Sequence, residues 1–184
     1  MTHVAKGLAA PPAAHTQLLA STSKAARTQG DHRVTGQAAG PVWPSASPPP
    51  AEPALAWDLQ AVAELPRVRA ELRRHAMAHP RDRVAIDPDT AADLRDQLIL
   101  ALDEMASNAL RHGGGGVRAA VRLTADAYLI EVSDQAASAP PSPAVGRDPS
   151  EGGLGLYLIA ELSTAHGWYV SHGAKHVWAL LPRG

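Results

Sequence analysis

The chain has 184 residues, 17 basic and 18 acidic side chains, a net charge of −1 at pH 7 and no cysteine. Residues 1–50 hold four basic residues and one acidic residue, so the remainder is slightly acidic. An acidic folded part argues against binding to nucleic acid, whose phosphates favour a basic surface. The lack of cysteine excludes disulfides and thiolate metal sites and is compatible with a reducing compartment.

The length allows one domain with a hydrophobic core plus additional sequence. No run of 18 apolar residues occurs, so we expect no transmembrane helix and no membrane partner. The N-terminus also lacks the compact apolar segment of a secretion signal. These features together predict a soluble, cytoplasmic protein.

The first 53 residues hold eight of the 16 prolines and little periodic apolar pattern. The run Pro48-Pro-Pro50 favours extended polyproline conformations, which cannot build a core. We therefore predict a disordered tail over residues 1–53 and a folded domain over residues 54–184.

The first half of that domain combines one strand with two helices. Apolar and polar residues alternate over residues 55–61, which predicts a strand with one buried face. Pro66 suits the first turn of an amphipathic helix that ends before Pro80. Residues 90–112 give the strongest helical pattern, because their apolar residues form one stripe at about 100° per residue. The stripe consists of Leu94, Leu98, Leu102, Met105 and Ala109. The run Gly113 to Gly116 stops this helix and is interpreted as a linker.

Two strands and a loop follow the glycine run. Apolar and polar residues alternate over residues 117–123, and residues 128–133 return as a second strand, so the two predict a hairpin. Asp134 stands where the second strand ends. Residues 135–150 contain four prolines and no apolar period, which predicts a long surface loop.

The C-terminal part predicts a helix and a second hairpin. Residues 154–165 resume a helical pattern, with Gly167 as its C-terminal stop. Residues 168–171 and 176–181 form the hairpin around Gly173. Joining strands by hairpins favours a largely antiparallel, mixed sheet with helices on one face, an α+β two-layer sandwich. A doubly wound dinucleotide fold is disfavoured, because it needs strict alternation of strands and helices.

Glu104 and Asn108 are the most informative polar pair. Four residues advance a helix by slightly more than one turn, so both side chains project from the same flank. On the helical wheel they lie at the edge of the apolar stripe, at the rim of the core. A carboxylate beside a carboxamide there suits an ion site or an activated water. The pair becomes informative because Asp134 and a glycine-rich helix start follow it.

Three stretches in this order resemble the ATP site of the GHKL superfamily, which comprises gyrase, heat-shock chaperone and histidine-kinase ATPases with the Bergerat fold. They are Glu104 with Asn108, then Asp134, then Gly152-Gly-Leu-Gly155. The resemblance covers roughly residues 55–182. Within the superfamily the chain is similar to bacterial anti-sigma-factor serine kinases. Three further stretches resemble the actinobacterial branch: Trp57, Glu64-Leu-Pro66 and Val177-Trp178-Ala179.

The resemblance implies a role for each polar residue. Asn108 would bind the Mg²⁺ that bridges the ATP phosphates, since Mg²⁺ prefers oxygen donors and few direct protein ligands. Glu104 would act as general base toward the attacking hydroxyl group. Asp134 would accept a hydrogen bond from the adenine amino group. His112 would contact the nucleotide or cap the helix. Ala136 and Ser138 replace glycines that the family has after this aspartate.

The glycines would serve the phosphates. The resemblance implies that Gly152, Gly153 and Gly155 let backbone amides approach phosphate at a helix N-terminus, where the helix dipole also favours anions. Leu156, which follows them, is included in the implied nucleotide site.

The implied activity is transfer of the ATP γ-phosphoryl group to a serine of an anti-anti-sigma protein. The implied second partner is a sigma factor, bound by the same domain, usually as a homodimer. Two alternatives stay open. One is a non-catalytic ATP-sensing module that binds a partner, suggested by the altered residues after Asp134. The other is a detached histidine-kinase catalytic domain, although no long dimerisation helix with a phosphoacceptor histidine precedes the domain.

Overall fold

The computed structural model describes residues 43–78, 87–141 and 154–183. Its elements are, in chain order, β1 (Glu52–Leu59), a 3₁₀ turn (Val62–Glu64), α1 (Leu65–Ala78), α2 (Pro88–His112), β2 (Val117–Leu123), β3 (Ala127–Asp134), α3 (Leu154–Leu162), β4 (Ala165–Ser171) and β5 (Ala174–Pro182). Every predicted helix and strand is therefore present, with shifted ends.

The five strands form one sheet in the order β1-β2-β3-β5-β4. Each neighbouring pair is antiparallel. The β4–β5 hairpin turns at His172 and Gly173, where both φ angles are positive, 50° and 79°. Glycine tolerates such an angle without a steric penalty, which explains its place in the turn. The predicted α+β architecture is confirmed.

One face of the sheet packs against all three helices. Ile130 and Val132 of β3 and Val177 of β5 belong to the same buried cluster as residues of the helices. The helical members include Leu72 of α1, Leu98, Leu102 and Met105 of α2, and Ile159 of α3. Because these side chains lie on the same side of the sheet, the fold has two layers, as the sequence predicts.

Helix α2 has clear signals at both ends. The Asp87 carboxylate accepts hydrogen bonds from the backbone N–H groups of Asp89 (3.1 Å) and Thr90 (3.0 Å), and Pro88 occupies the first turn. The Thr90 hydroxyl and both N–H groups lower the pKa of Asp87. At the other end the Gly113 N–H donates to the Ala109 carbonyl at 2.7 Å. The helix thus begins two residues before the predicted start and ends where predicted.

The prediction that the folded domain starts at residue 54 is wrong. The Trp43 side chain is only 4% exposed and belongs to the core. The backbone N–H of Trp168 in β4 donates a hydrogen bond to the Pro44 carbonyl at 2.9 Å. The Trp168 carbonyl accepts a hydrogen bond from the Ala46 backbone N–H, also at 2.9 Å. The Trp178 indole N–H also donates to the Ala46 carbonyl at 2.7 Å. Residues 43–53 therefore belong to the folded domain, and we call residues 43–50 the edge segment.

The predicted helix stop at Gly167 is also wrong. Helix α3 ends at Leu162, and Gly167 lies inside β4. A Cβ atom at Gly167 would lie 2.9 Å from the Trp178 ring and 3.0 Å from the Pro44 carbonyl oxygen. The position needs glycine because the edge segment and the indole ring both approach the backbone of β4 closely.

We expect Trp43→Ala to lower the free energy of unfolding by about 3–5 kcal/mol, the usual loss for a large buried aromatic side chain. Urea denaturation followed by far-ultraviolet circular dichroism would measure the change. Ser45→Ala is the matched control, since Ser45 is exposed in the same segment. Equal denaturation midpoints for the two variants would contradict the burial of Trp43.

None of the helices within the three described ranges is long and apolar enough to cross a membrane.

Candidate functional site

Helices α2 and α3 meet where Glu104 faces the first turn of α3. Glu104 is half-buried, as its predicted position on the rim of the core requires. A Cβ atom at Gly155 would lie 2.8 Å from the Glu104 carboxyl carbon and closer still to one carboxylate oxygen. Glycine at this position lets the α3 backbone lie this close to the carboxylate without moving the Glu104 side chain. The structure thus brings together two of the predicted stretches, which are 51 positions apart in the printed sequence.

The rest of the predicted glycine stretch is only partly described. Gly152 and Gly153 lie outside the described residues, so their role stays a prediction. Leu156 is 8% exposed and packs in the hydrophobic core. Its implied contact with nucleotide likewise stays a prediction.

Asp134 is the last residue of β3, and its side chain is only 4% exposed. The Ala136 backbone N–H donates to Oδ1 at 2.8 Å. The Lys175 ammonium lies 3.2 Å from Oδ2. A buried carboxylate requires such partners, because it loses the water that would otherwise solvate it. The aspartate is therefore held in place by one backbone donor and one cation.

The glycine run after α2 packs against this aspartate. A Cβ atom at Gly113 would lie 2.8 Å from the Asp134 carboxyl carbon, and the Gln135 N–H donates to the Gly113 carbonyl at 3.1 Å. Gly115 packs against the Gln135 side chain in the same way, because a Cβ atom added at Gly115 would lie 2.8 Å from Nε2 of Gln135. The run therefore connects α2 to β2 and, in addition, two of its glycines pack closely against the end of β3.

Helix α2 therefore connects the two parts of the site. Glu104 contacts the start of α3, and Gly113, which caps the helix, contacts Asp134. Nine residues separate them, an axial distance of about 14 Å at the rise of an α-helix. Asn108 is half-buried and lies between them along the axis. An extended nucleoside triphosphate would fit this span if, as the resemblance implies, its base lay at Asp134 and its phosphates at Glu104.

His112 is the last residue of α2 and is exposed. Its place at the end of the helix is the basis of the capping alternative, because side chains there can contact the last backbone carbonyls. Its neighbour Gly113 contacts Asp134, so His112 lies beside the part of the site assigned to the base. Both alternatives given by the sequence, a nucleotide contact and a helix cap, stay predictions.

Lys175 is the site residue that the sequence reasoning missed. In β5 it lies directly opposite Asp134 of β3, and it is 8% exposed. The predicted strand began at residue 176, whereas β5 begins at Ala174, so that Lys175 lies on the same face as Val177 and Ala179, which point into the core. A lysine on an inward face needs an anionic partner.

The chemistry of the site fits magnesium bound together with phosphate. Within the described residues, no group of three or more His, Cys, Asp and Glu side chains is arranged to hold a metal ion. Mg²⁺ commonly uses one or two protein oxygens and completes its shell with substrate phosphates and water. The carboxamide of Asn108, one turn beyond Glu104, would supply such an oxygen.

Comparison with known proteins identifies the domain. The profile of the histidine kinase-like ATPase domain family matches residues 61–179, which is well over half of the chain. The matched range includes α2, the end of β3, α3 and Lys175 of β5. No curated protein matches the chain significantly. With its five-stranded antiparallel sheet covered by helices, the chain belongs to the histidine kinase-like ATPase domain family of the GHKL superfamily, whose domains bind ATP.

Proposed function

We propose that this protein is a regulatory serine kinase that transfers the γ-phosphoryl group of ATP to an anti-anti-sigma protein and also binds a sigma factor, as a homodimer. The proposal rests mainly on one contact, the Glu104 carboxylate against the Gly155 backbone at the start of α3. The contact supports the proposal because a carboxylate that could act as a base lies beside a helix N-terminus, where phosphate is favoured.

In the proposed reaction the Glu104 carboxylate takes the proton of the partner's serine hydroxyl group. The hydroxyl oxygen then bonds to the γ-phosphorus, while the bond between that phosphorus and the oxygen bridging it to the β-phosphate breaks and ADP leaves. Mg²⁺, when bound through Asn108 and the phosphates, would neutralise phosphate charge. Phosphoryl transfer depends mainly on positioning and electrostatic stabilisation, so a small domain suffices.

The decisive experiment incubates the full chain with radiolabelled ATP, Mg²⁺ and the purified anti-anti-sigma protein. We expect label on the partner that is lost when the acceptor serine is replaced with alanine. Pull-down with the sigma factor tests the second partner, and light scattering tests the homodimer. ATP binding without transfer to a cognate partner would contradict the kinase assignment.

A second candidate is an ATP sensor that binds its partner without phosphorylating it. It is favoured by the altered sequence after Asp134, whose carboxylate is held by the Ala136 N–H and the Lys175 ammonium. Ala136 and Ser138 also stand where the resembling family has glycines, so the backbone there carries additional side chains. For this candidate, ATP changes the affinity for the sigma factor and no phosphoserine forms.

Nucleotide binding gives a direct test of Asn108. A ligand at 100 times its dissociation constant stabilises a protein by about 2.7 kcal/mol, a readily measured thermal shift. We expect Asn108→Ala to remove the part of the ATP-induced shift that depends on Mg²⁺ and to keep the part seen with EDTA. Asp96→Ala, an exposed position on the same helix, is the matched control. An unchanged Mg²⁺ dependence in Asn108→Ala would refute the role of this residue.

A further inference from the structure

Asp134 and Lys175 form a buried ion pair at the end of the β3–β5 ladder. They face each other in register, with 3.2 Å between the lysine Nζ and the aspartate Oδ2. Their side chains are 4% and 11% exposed, so the lysine end is slightly more accessible. The pair lies where Gly113 ends α2, at the end of the site assigned to the base.

The pair retains hydrogen-bonding capacity. An ionised carboxylate has lone pairs on both oxygens, and Asp134 uses one on the Ala136 N–H and one on Lys175. An ammonium group has more than one N–H, and one of those of Lys175 faces Asp134. The pair thus offers an acceptor and a donor side by side.

That arrangement complements one feature of adenine. The exocyclic amino group donates, and each ring nitrogen that flanks it, N1 on one side and N7 on the other, accepts. We infer that Lys175 is a second base-contacting residue, which donates a hydrogen bond to the ring nitrogen beside the amino group while Asp134 accepts from that amino group. The inference rests on the proposed ATP binding and assigns base specificity to a pair of side chains rather than to Asp134 alone.

The competing explanation is structural. A buried carboxylate is destabilising without a partner, so Lys175 would neutralise Asp134 and never touch the base. Both explanations predict that removing the lysine weakens the protein. They differ in whether the affinity for ATP depends on a particular ring nitrogen, which can be tested on the unaltered protein.

The first experiment therefore measures the affinity of the full chain for three nucleotides: ATP, 1-deaza-ATP and 7-deaza-ATP. Each analogue replaces one ring nitrogen with a C–H group and keeps the amino group. We expect the dissociation constant of one analogue to be at least about tenfold higher than that of ATP. The reason is that a hydrogen bond from a charged donor changes the dissociation constant by about tenfold or more. The analogue that loses affinity identifies the nitrogen. Equal affinities for all three would overturn the inference.

The second experiment repeats the titrations with Lys175→Met, a substitution that keeps most of the length of the side chain and removes its charge. We expect weaker ATP binding and no remaining discrimination between ATP and the sensitive analogue. Persistent discrimination in this variant would assign the ring nitrogen to another group and overturn the inference. Arg118→Met is the control, because Arg118 forms an exposed pair with Asp58 on the same sheet, at 3.6 Å. It should keep the discrimination.

Failure of the proposed function would look different. A chain that binds no adenine nucleotide at all, by thermal shift or calorimetry, would refute ATP binding itself and with it the inference. Tight ATP binding with equal affinity for both deaza analogues would refute only the role of Lys175. If Lys175→Met does not fold, equal affinities of the unaltered protein for the three nucleotides still overturn the inference.

Discussion

Replacing Glu104 with glutamine is expected to slow phosphoryl transfer to the partner by about 10²–10⁴-fold, the usual contribution of a general base. Glutamine keeps the size and the hydrogen-bonding capacity of the side chain but cannot take a proton from serine. ATP affinity should be unchanged or higher, because the base would bind at the other end of α2 and the substitution removes a negative charge beside the phosphates. Initial rates with radiolabelled ATP and a separate nucleotide titration would measure the two effects.

The neighbouring carboxylate provides the control. Asp103 is on the same helix but accepts two hydrogen bonds from Arg69 of α1, at 2.8 and 2.9 Å, away from Gly155. Asp103→Asn should transfer phosphate at the normal rate and lose less than about 1 kcal/mol of stability, because the ion pair is partly exposed. Equal rates for the two variants would show that Glu104 is not the base.

The second large effect is expected at Gly113. An alanine there would bring a Cβ atom to 2.8 Å from the Asp134 carboxyl carbon and into the Ala109 carbonyl oxygen. Overpacking of this kind costs about 1–3 kcal/mol. Relief of the clash would move Asp134, so we expect Gly113→Ala to lose both stability and at least about tenfold in ATP affinity.

Gly116→Ala is a matched control from the same glycine run. A Cβ atom at Gly116 would meet only the Gln60 side chain, at an ordinary 3.6 Å. Its stability should be unchanged or slightly higher, since alanine restricts the unfolded chain more than glycine does. Urea denaturation and isothermal titration with ATP would compare the two variants. Equal behaviour would mean that the Gly113–Asp134 contact does not shape the site.

Local patterns predicted most of the fold. The apolar stripe of α2 placed Leu102 inside and Glu104 on the rim, and the structure has Leu102 at 1% exposure and Glu104 half-buried. The hairpins followed from two-residue alternation and from Gly173. These predictions succeed because helix and strand periods depend on neighbours a few residues apart.

Contacts between distant parts of the chain could not be predicted in this way. The edge segment has the proline-rich composition of a tail, yet Ala46 binds the Trp178 indole 132 residues away. Gly167 resembles a helix stop, and only its position beneath Trp178 explains why a side chain is excluded there. The periodic patterns of helices and strands do not predict these contacts, because the contacting residues are far apart in the chain and come together only in the folded sheet.

For the same reason, the sequence predicted only some of the contacts around the candidate site. A resemblance in motif order identified Glu104 and Asp134, and the structure connects them through α2. Lys175 was missed because its importance depends on which strand lies beside β3. The strand order β3-β5, rather than any motif, places the lysine opposite the aspartate.

The edge segment also limits how two copies of this protein could associate. Beside Trp168, the outer hydrogen-bonding groups of β4 already bind Pro44 and Ala46. At the opposite margin of the sheet, β1 contains Pro53, which has no N–H to donate. A second subunit that added a strand at β4 would have to displace the edge segment. One that added a strand at β1 would have to tolerate the missing N–H of Pro53. The proposed homodimer should therefore assemble through helical or loop surfaces, without forming a continuous intermolecular sheet.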